Sequence, residues 1–289
     1  EHAEWRLHKF DEFCNQELIK TPVITKELAE KWGTLRKTET KVTLAGRISI
    51  LRQLSLYMQA YGIQCYVPRN YSHKSSHIAY VLSIEEIQSL FREIDSYQPA
   101  VNAETFHRLA LEYRILFRML FCCGLRASEA RKLRLDMANL ENGVLRIYQS
   151  KGHNDRLVYL PDDLRQLCCD YLKIMTVKYK IRSEWFFPAS DPAKVLQVAS
   201  IGKRFRLAWG QTPYARKGGV QPTVHSLRHT FVVLRMNEWM KTSVKLDNMM
   251  PYLSKYLGHS SPDDTFYYYH QVEEAFSIIR QKDQSAAFV

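Results

Sequence analysis

The sequence predicts a mainly α-helical protein with one small β-sheet, which is an α+β fold. Three stretches, 43–61, 105–123 and 223–241, repeat apolar residues every three or four positions, as amphipathic helices do. Two short runs, 144–148 and 156–160, are instead rich in the branched and aromatic residues that favour strands. A polar loop separates these two runs, so we expect them to pair as a hairpin.

The composition is that of a globular protein with an excess of positive charge. The chain has 289 residues, which predicts one large or two ordinary domains, and 46% of them are hydrophobic and 25% charged, enough for a substantial core. The net charge is +11 and the pI is about 9.3. Basic residues are spread along the chain rather than gathered in one tail. This favours a polyanionic partner, of which nucleic acid is the commonest.

The cysteines and the apolar runs bear on the cellular compartment. None of the six cysteines forms a C-x-x-C pair, which argues against a zinc site. The adjacent pairs Cys122–Cys123 and Cys168–Cys169 lie in apolar helical stretches, where we expect buried thiols and a reducing cytoplasm. No signal peptide and no apolar run of membrane-spanning length is present, so no membrane partner is expected. The chain begins with Glu1 rather than Met, which is compatible with a fragment of a longer protein.

Residues 1–67 are predicted to form a small helical domain. Thr25 is a suitable N-cap for a short helix. The longer helix over 43–61 would bury one apolar face and place Arg47 and Arg52 on the opposite, solvated face.

A polar linker over 68–82 is predicted to connect this domain to a second one over 83–289. The second domain has a clear start, because Ser83 and Glu86 have the spacing of a capping box. A helix is therefore expected to begin at residue 84. Further helices are predicted over 162–179, 199–210 and 273–282.

Glycines are predicted to end two helices of the second domain. Gly124 and Gly258 follow apolar helical stretches, and glycine takes the positive φ of a helix C′ position without strain. After the second of these turns, Ser261 and Pro262 are typical of an N-cap and a first helical residue. The new helix would carry three consecutive tyrosines, 267–269.

Polar residues with the chemistry of a phosphate site recur along the second domain. Two pairs are three residues apart and would each share a helix face. A lysine lies in the predicted hairpin loop, and a histidine and a tyrosine follow the Gly258 turn. The set is Arg126, Glu129, Lys151, His225, Arg228, His259 and Tyr268.

This pattern resembles the tyrosine recombinase, or phage integrase, family. The order and spacing of the motifs carry the resemblance, which extends from about Ser83 to Val289. The matching segments are Gly124-Leu125-Arg126-Ala127-Ser128-Glu129, Ser150-Lys151-Gly152, Trp185-Phe186-Phe187-Pro188, His225-Ser226-Leu227-Arg228-His229-Thr230, Leu257-Gly258-His259-Ser260-Ser261, and Thr265 with Tyr268 and His270. The resemblance implies a helical core-binding domain over 1–67 and a catalytic domain over 83–289, together forming a C-shaped clamp on DNA.

The chemistry of a phosphodiester explains why these residue types would be needed. Arg126 and Arg228 can each bind phosphate oxygens through two N–H groups, and such preorganised charge is usually the largest catalytic contribution. A tyrosine with a pKa near ~10 needs a base to act as a nucleophile, and His225 is the best candidate for that base. The resemblance implies that Tyr268 is the nucleophile and Lys151 the general acid.

Two further residues complete the predicted site. His259 would donate a hydrogen bond to a non-bridging phosphate oxygen. Glu129 would orient Arg126 or His225 without contacting the substrate. No cofactor and no metal ion is expected, since neither metal-ligand spacing nor a phosphate-binding glycine loop is present.

Alternatives remain for several of these residues. Only one of the three consecutive tyrosines can face the phosphate, and the motif register favours Tyr268 over its neighbours. His229 competes with His225 because it lies four residues later on nearly the same face. Lys151 has a rival in Arg156, at the other side of the hairpin loop. The C-terminal helix, 273–289, could pack on its own domain or dock in trans on a neighbouring protomer.

The expected function is site-specific DNA recombination by the integrase or transposase of a mobile element. The product of cleavage would be a 3′-phosphotyrosyl link that a 5′ hydroxyl reseals. The expected partners are double-stranded DNA with specific recombination sites, a homo-tetramer on synapsed DNA, and possible accessory directionality proteins. The expected location is the prokaryotic cytoplasm, at the nucleoid. The alternatives are a type IB topoisomerase and a DNA-binding module without catalysis.

Overall fold

A computed structural model gives the fold of most of the chain. It describes residues 2–19, 21, 23–71, 79–148, 155–215, 219–242, 246–259, 261 and 263–269. The chain divides into two compact units, Glu1–His77 and Ile78–Val289. The core-binding role of the first unit and the catalytic role of the second stay predictions.

Three helices lie within the described residues of the first unit. They are α1 (His2–Gln16), α2 (Lys26–Trp32) and α3 (Lys41–Ala60). The predicted N-cap is confirmed, because the Thr25 hydroxyl accepts a hydrogen bond from the Leu28 N–H at 3.2 Å. The helices enclose a small core in which Trp32 is 2% exposed and packs edge-on against Phe10.

The prediction that Arg47 lies on a solvated face of α3 is wrong. Its side chain is buried and forms a two-pronged ion pair with Glu39, with N–O distances of 2.8 and 2.6 Å. It also donates to the backbone carbonyls of Trp32 and Thr34. Helical periodicity placed Arg47 away from the apolar face, but the loop after α2 covers that side of the helix. A buried arginine is tolerated there because a carboxylate and two carbonyls neutralise and bind it.

The second unit contains eight helices and a small sheet within its described residues. The helices are α4 (Ile84–Ser96), α5 (Glu104–Cys122), α6 (Ala127–Arg131), α7 (Asp162–Val177), α8 (Val198–Gln211), α9 (Val224–Lys241), α10 (Leu246–Leu257) and α11 (Asp263–Tyr269). The predicted start of α4 is confirmed, since Ser83 and Glu86 form both hydrogen bonds of a capping box.

The sheet has three antiparallel strands in the order β1, β2, β3. These are β1 (Ala138–Asn139), β2 (Val144–Ile147) and β3 (Arg156–Tyr159). Val144 pairs with Tyr159 and Ile147 with Arg156, so the predicted hairpin is confirmed. The sequence did not indicate β1, which is too short to show a periodic pattern. The loop between β2 and β3, with Lys151, lies outside the described residues.

Two clusters of buried side chains hold the second unit together. The larger lies between α4, α5, α7, α8 and the sheet, and it includes Phe186 and Phe187 of the apolar-Phe-Pro segment. The smaller joins α9 to α10 through Val232, Val233 and Leu257. Together they fix the ends of α5, α9 and α10 near one another, where the predicted site residues lie.

The predicted burial of the cysteine pairs holds for one member of each pair. Cys123 and Cys168 are buried, whereas Cys122 and Cys169 are half-buried. Neighbouring residues on a helix point about 100° apart, so both rarely face the core.

No helix in the described part of the chain is both long and apolar enough to cross a membrane. The predicted C-terminal helix over 273–289 lies outside the described residues.

Candidate active site

The site begins at the turn that ends α5. Gly124 has a φ of +62°, as expected for a glycine that closes a helix. The chain then turns into α6, and Arg126 is its N-cap with extended backbone rather than a residue inside the helix. The expected proximity of Arg126 and Glu129 therefore arises from a cap and not from a shared helix face. The Arg126 backbone N–H donates to Glu129 Oε2 at 2.8 Å, and its guanidinium donates to Oε1 at 2.8 Å.

Glu129 is a buried carboxylate held by two arginines. Besides Arg126, it accepts two parallel hydrogen bonds from Arg156 of β3, at 3.0 and 2.9 Å. Burial alone would raise the pKa of Glu129, but the hydrogen bonds and charges of Arg156 and Arg126 outweigh it and lower the pKa to about 2. Glu129 is therefore charged at neutral pH, and it fixes both guanidinium groups.

The carboxyl end of α10 supplies a second set of acceptors. Gly258 (φ +66°) closes the helix in a Schellman turn, in which Gly258 N–H donates to Lys255 and His259 N–H donates to Ser254. The carbonyls of Tyr256, Leu257 and Gly258 remain available beyond these bonds.

Three arginines bind these carbonyls. Arg156 Nε donates to Tyr256 O at 2.6 Å, Arg228 to Leu257 O at 2.6 Å, and Arg126 to Gly258 O at 3.2 Å. The negative end of the helix dipole lies here, so it favours positive charge. We call Arg126, Arg156 and Arg228 the arginine cluster.

Arg228 is the most deeply buried member of the arginine cluster. Its side chain is 1% exposed, against 19% for Arg126. It donates to Gly124 O at 2.6 Å and lies 3.0 Å from Nε2 of His259. A buried arginine on α9 thus joins the end of α5 to the end of α10.

His259 is held in one orientation by two neighbours. A guanidinium can only donate, so Nε2 of His259 accepts from Arg228, and Nδ1 carries the proton that is donated to Thr265 Oγ1 at 2.7 Å. Burial and the nearby charge of Arg228 lower the pKa of His259 to about 3. His259 is therefore neutral at physiological pH.

His225 and His229 lie together on the first turns of α9. Their rings meet edge-on with centroids 4.4 Å apart, and His229 is buried while His225 is exposed. Loss of hydration where the protein packs around the ring, together with the charge of Arg228, lowers the pKa of His225 to about 4. Of the two rivals, His225 is the one that an external group can reach.

Two predicted residues have side chains that the structure does not describe. Lys151 lies outside the described residues. Tyr268 belongs to α11, which starts shortly after His259, but its side chain is not described, and the same is true of Tyr269. Tyr267 is exposed. The choice among the three tyrosines therefore stays a prediction.

The described site is rich in positive charge. The arginine cluster holds three positive charges against the single negative charge of Glu129. His225 and His259 favour the neutral form, because their pKa values are lowered. Such an arrangement attracts an anion and can clamp it through N–H donors. Within the described part of the chain, no group of three or more His, Cys, Asp or Glu side chains is placed to hold a metal ion.

Sequence reasoning missed the contributions of Arg156 and Thr265. Arg156 was considered only as a rival of Lys151, yet it is buried and bound to Glu129. Thr265 was noted only among the segments that match the family, yet it orients His259 and is 0% exposed. The only sequence signal for Arg156 was its position as a charged residue at the start of a short strand. Exposed strand ends often carry charged residues too, so this signal does not identify a buried arginine.

Comparison with known proteins identifies the family. The sequence profile of the phage integrase family matches residues 81–275, more than half of the chain. A putative integrase/recombinase, y4rE, of Sinorhizobium fredii (strain NBRC 101917 / NGR234) is 26% identical over 227 residues, which are 78% of this chain and 71% of that protein. The tyrosine recombinase XerA of Pyrococcus furiosus is 27% identical over 161 residues, which are 54% of this chain and 49% of that protein.

A solved structure is similar in fold. The Tn1549 transposon integrase in complex with transposon right end DNA superimposes with a TM-score of 0.65 at 13% identity, over 98% of this chain and 92% of that one. The mainly helical fold with a small sheet, predicted from the sequence, is confirmed by this likeness. The chain therefore belongs to the phage integrase family, which makes it a tyrosine recombinase.

Proposed function

We propose that this recombinase cuts and rejoins DNA at specific sites as the integrase or transposase of a mobile element. The observation that carries the proposal is the arginine cluster, which gathers residues from the N-cap of α6, from β3 and from α9 around one carboxylate and the end of α10. This excess of buried and half-buried donors suits the scissile phosphate of a DNA strand.

Arg126 makes the first contact with the phosphate in this proposal. It is the most exposed member of the arginine cluster, and Glu129 already fixes its orientation. Arg228 is bound to two carbonyls and to His259. A phosphate oxygen would therefore replace His259 as one acceptor of Arg228, which frees Nε2 of His259 to take a proton and donate to the phosphate.

The covalent step uses residues at the edge of this site. The Tyr268 oxygen attacks phosphorus and loses its proton to His225, which is exposed and can accept it. The bond from phosphorus to the 5′ oxygen breaks, and Lys151 supplies the proton to that oxygen. The product is a 3′-phosphotyrosyl link and a free 5′ hydroxyl, and attack by a 5′ hydroxyl of a partner strand reverses the step.

The partners in this proposal are duplex DNA and further copies of the chain. The basic net charge of +11 supports phosphate binding by both units, with 1–67 as the core-binding domain and 83–289 as the catalytic one. Recombination proceeds in a homo-tetramer on two synapsed sites, with the helix over 273–289 as a candidate for docking in trans, and accessory proteins set its direction. The described cysteines are all free, which supports a cytoplasmic location at the nucleoid.

The central test is capture of the covalent intermediate. A duplex from the junction of the element with its host DNA is nicked just 3′ of the cleavage position, so that cleavage releases a short fragment carrying the free 5′ hydroxyl. Resealing is then prevented, and the adduct accumulates and is resolved on a denaturing gel. We expect the parent chain to form the adduct and Tyr268→Phe to form none. The matched controls are Tyr267→Phe and Tyr269→Phe, and if one of them abolishes the adduct instead, the nucleophile is that tyrosine.

Two further outcomes distinguish the rival functions. A parent chain that binds the junction but never forms an adduct is a DNA-binding module without catalysis. When two cognate sites are supplied on one supercoiled plasmid, exchanged products support recombination. Relaxation of supercoils without exchange indicates the type IB topoisomerase reaction.

A further inference from the structure

Arg156 is bound within the protein through each of its side-chain nitrogens. Its side chain is 6% exposed, and all three of its nitrogens are bound within the protein. Nη1 and Nη2 hold the two oxygens of Glu129 at 3.0 and 2.9 Å, and Nε holds Tyr256 O at 2.6 Å. These bonds argue against Arg156 as the general acid, the role in which the sequence left it as an alternative to Lys151.

The contact with Glu129 links Arg156 to the residue proposed to meet the phosphate. Glu129 shares one oxygen, Oε1, between Arg156 and the Arg126 guanidinium, and the other, Oε2, between Arg156 and the Arg126 backbone. The carboxylate is 4% exposed and has two cationic partners in direct contact. Without Arg156, Arg126 would be the only arginine hydrogen-bonded to Glu129, with Arg228 at 3.9 Å, and more of the charge of the Arg126 guanidinium would be directed into the protein rather than toward an anion.

The contact with the end of α10 links Arg156 to His259. A Cβ atom placed on Gly258 would lie 2.9 Å from Arg156 Nη1, so the guanidinium packs directly against the glycine. The next residue is His259, whose N–H closes the Schellman turn onto Ser254. Arg156 therefore fixes the turn from which His259 reaches Arg228.

We propose that Arg156 is a positioning residue for DNA cleavage, which sets Arg126 through Glu129 and sets His259 through the Gly258 turn. This inference rests on the proposed function. It assigns Arg156 no contact with DNA and no proton transfer. Its planar fork is essential, because a lysine at the same place would keep the charge but could not hold both carboxylate oxygens and Tyr256 O.

The test compares Arg156→Lys with a matched arginine of the same unit. Arg118 also forms a two-pronged ion pair, with Asp95 at 2.9 and 2.6 Å, and that pair includes no residue of the site. Single-turnover adduct formation on the nicked duplex is measured together with the Kd for the same duplex. We expect Arg156→Lys to slow cleavage about ten- to hundred-fold, the scale of a small misplacement of catalytic groups, while the Kd changes less than three-fold. Arg118→Lys should leave both values within about three-fold of the parent.

A double variant tests the route through Glu129. If Arg156 acts through this carboxylate, Glu129→Gln combined with Arg156→Lys should cleave no more than about three-fold slower than the slower single variant. Independent losses that multiply would overturn the route. Should Arg156→Lys not fold, Glu129→Gln is measured instead, and it must slow cleavage about ten- to hundred-fold with an unchanged Kd.

The outcomes separate this inference from the proposed function. Absence of an adduct with the parent chain contradicts the proposed function itself. An adduct that forms equally fast with the parent and with Arg156→Lys leaves the proposed function intact and overturns the positioning role.

Discussion

Replacement of Gly258 by alanine tests the packing of the site most directly. The backbone at Gly258 has a φ of +66°, in the left-handed region where a side chain costs about 1–2 kcal/mol. The added Cβ would also lie 2.9 Å from Arg156 Nη1 and 3.3 Å from its Cζ, which is closer than ordinary contact. The guanidinium must therefore move away from Gly258.

The free-energy cost of moving the Arg156 guanidinium follows from the hydrogen bonds that it donates to Glu129. Displacement of its fork weakens the bonds to Glu129 at 3.0 and 2.9 Å. Hydrogen bonds to charged groups contribute about 1.5–3 kcal/mol. The sum of the two costs predicts that Gly258→Ala lowers the free energy of unfolding by about 2.5–5 kcal/mol, and it should also slow adduct formation.

Gly219→Ala is the matched control. Gly219 has a similar φ of +78°, but no described atom lies within 4 Å of its Cβ position. Its loss should be the backbone cost alone, about 1–2 kcal/mol. Both variants are unfolded with urea and followed by circular dichroism, and the midpoints are compared at equal slope. Equal losses at the two glycines would refute the close packing of Arg156 on the Gly258 turn.

Two further predictions concern the acid stability of the site and the core of the first unit. His259 has a pKa of about 3 in the folded chain, below its ordinary value of about 6.5. As the pH falls, the unfolded chain therefore takes up the proton first, and the free energy of unfolding decreases between about pH 6.5 and 3. His259→Gln should flatten the dependence of unfolding free energy on pH across this interval, and equal slopes for the parent and His259→Gln would contradict the assignment. Arg47→Met should destabilise the first unit by about 3–5 kcal/mol because Glu39 stays buried without its partner, and adding Glu39→Gln should recover part of that loss in thermal unfolding. Arg52→Met, which removes a single hydrogen bond to Pro68 O, should cost less, and an equal cost would refute the importance of the buried pair.

Features that depend on a few neighbouring residues could be predicted from the sequence. The Ser83 capping box, the Thr25 N-cap and the glycine turns at Gly124 and Gly258 all have the predicted form. The hairpin of β2 and β3 belongs to the same group. In each case the stabilising hydrogen bonds join residues close in the chain, so spacing and residue type are sufficient.

Features that depend on contacts between distant segments could not be predicted. Arg47 was assigned to a solvated face because the pattern of α3 does not report the loop that covers it. Arg126 was placed inside a helix, whereas it precedes one. The short strand β1 had no periodic signal, and it forms only because β2 pairs with it.

The sequence by itself determined the chemical inventory of this recombinase and the local turns that hold it. It identified Arg126, Glu129, His225, Arg228 and His259 as one set, from residue types and motif order. Only the tertiary structure decided how the members meet: Arg156 and Arg126 share Glu129, while all three arginines bind the carboxyl end of α10. Apart from the local pair Arg126–Glu129, these contacts join residues from 27 to 132 positions apart. No local pattern encodes them, because they arise when the buried faces of α5, α9 and α10 pack together.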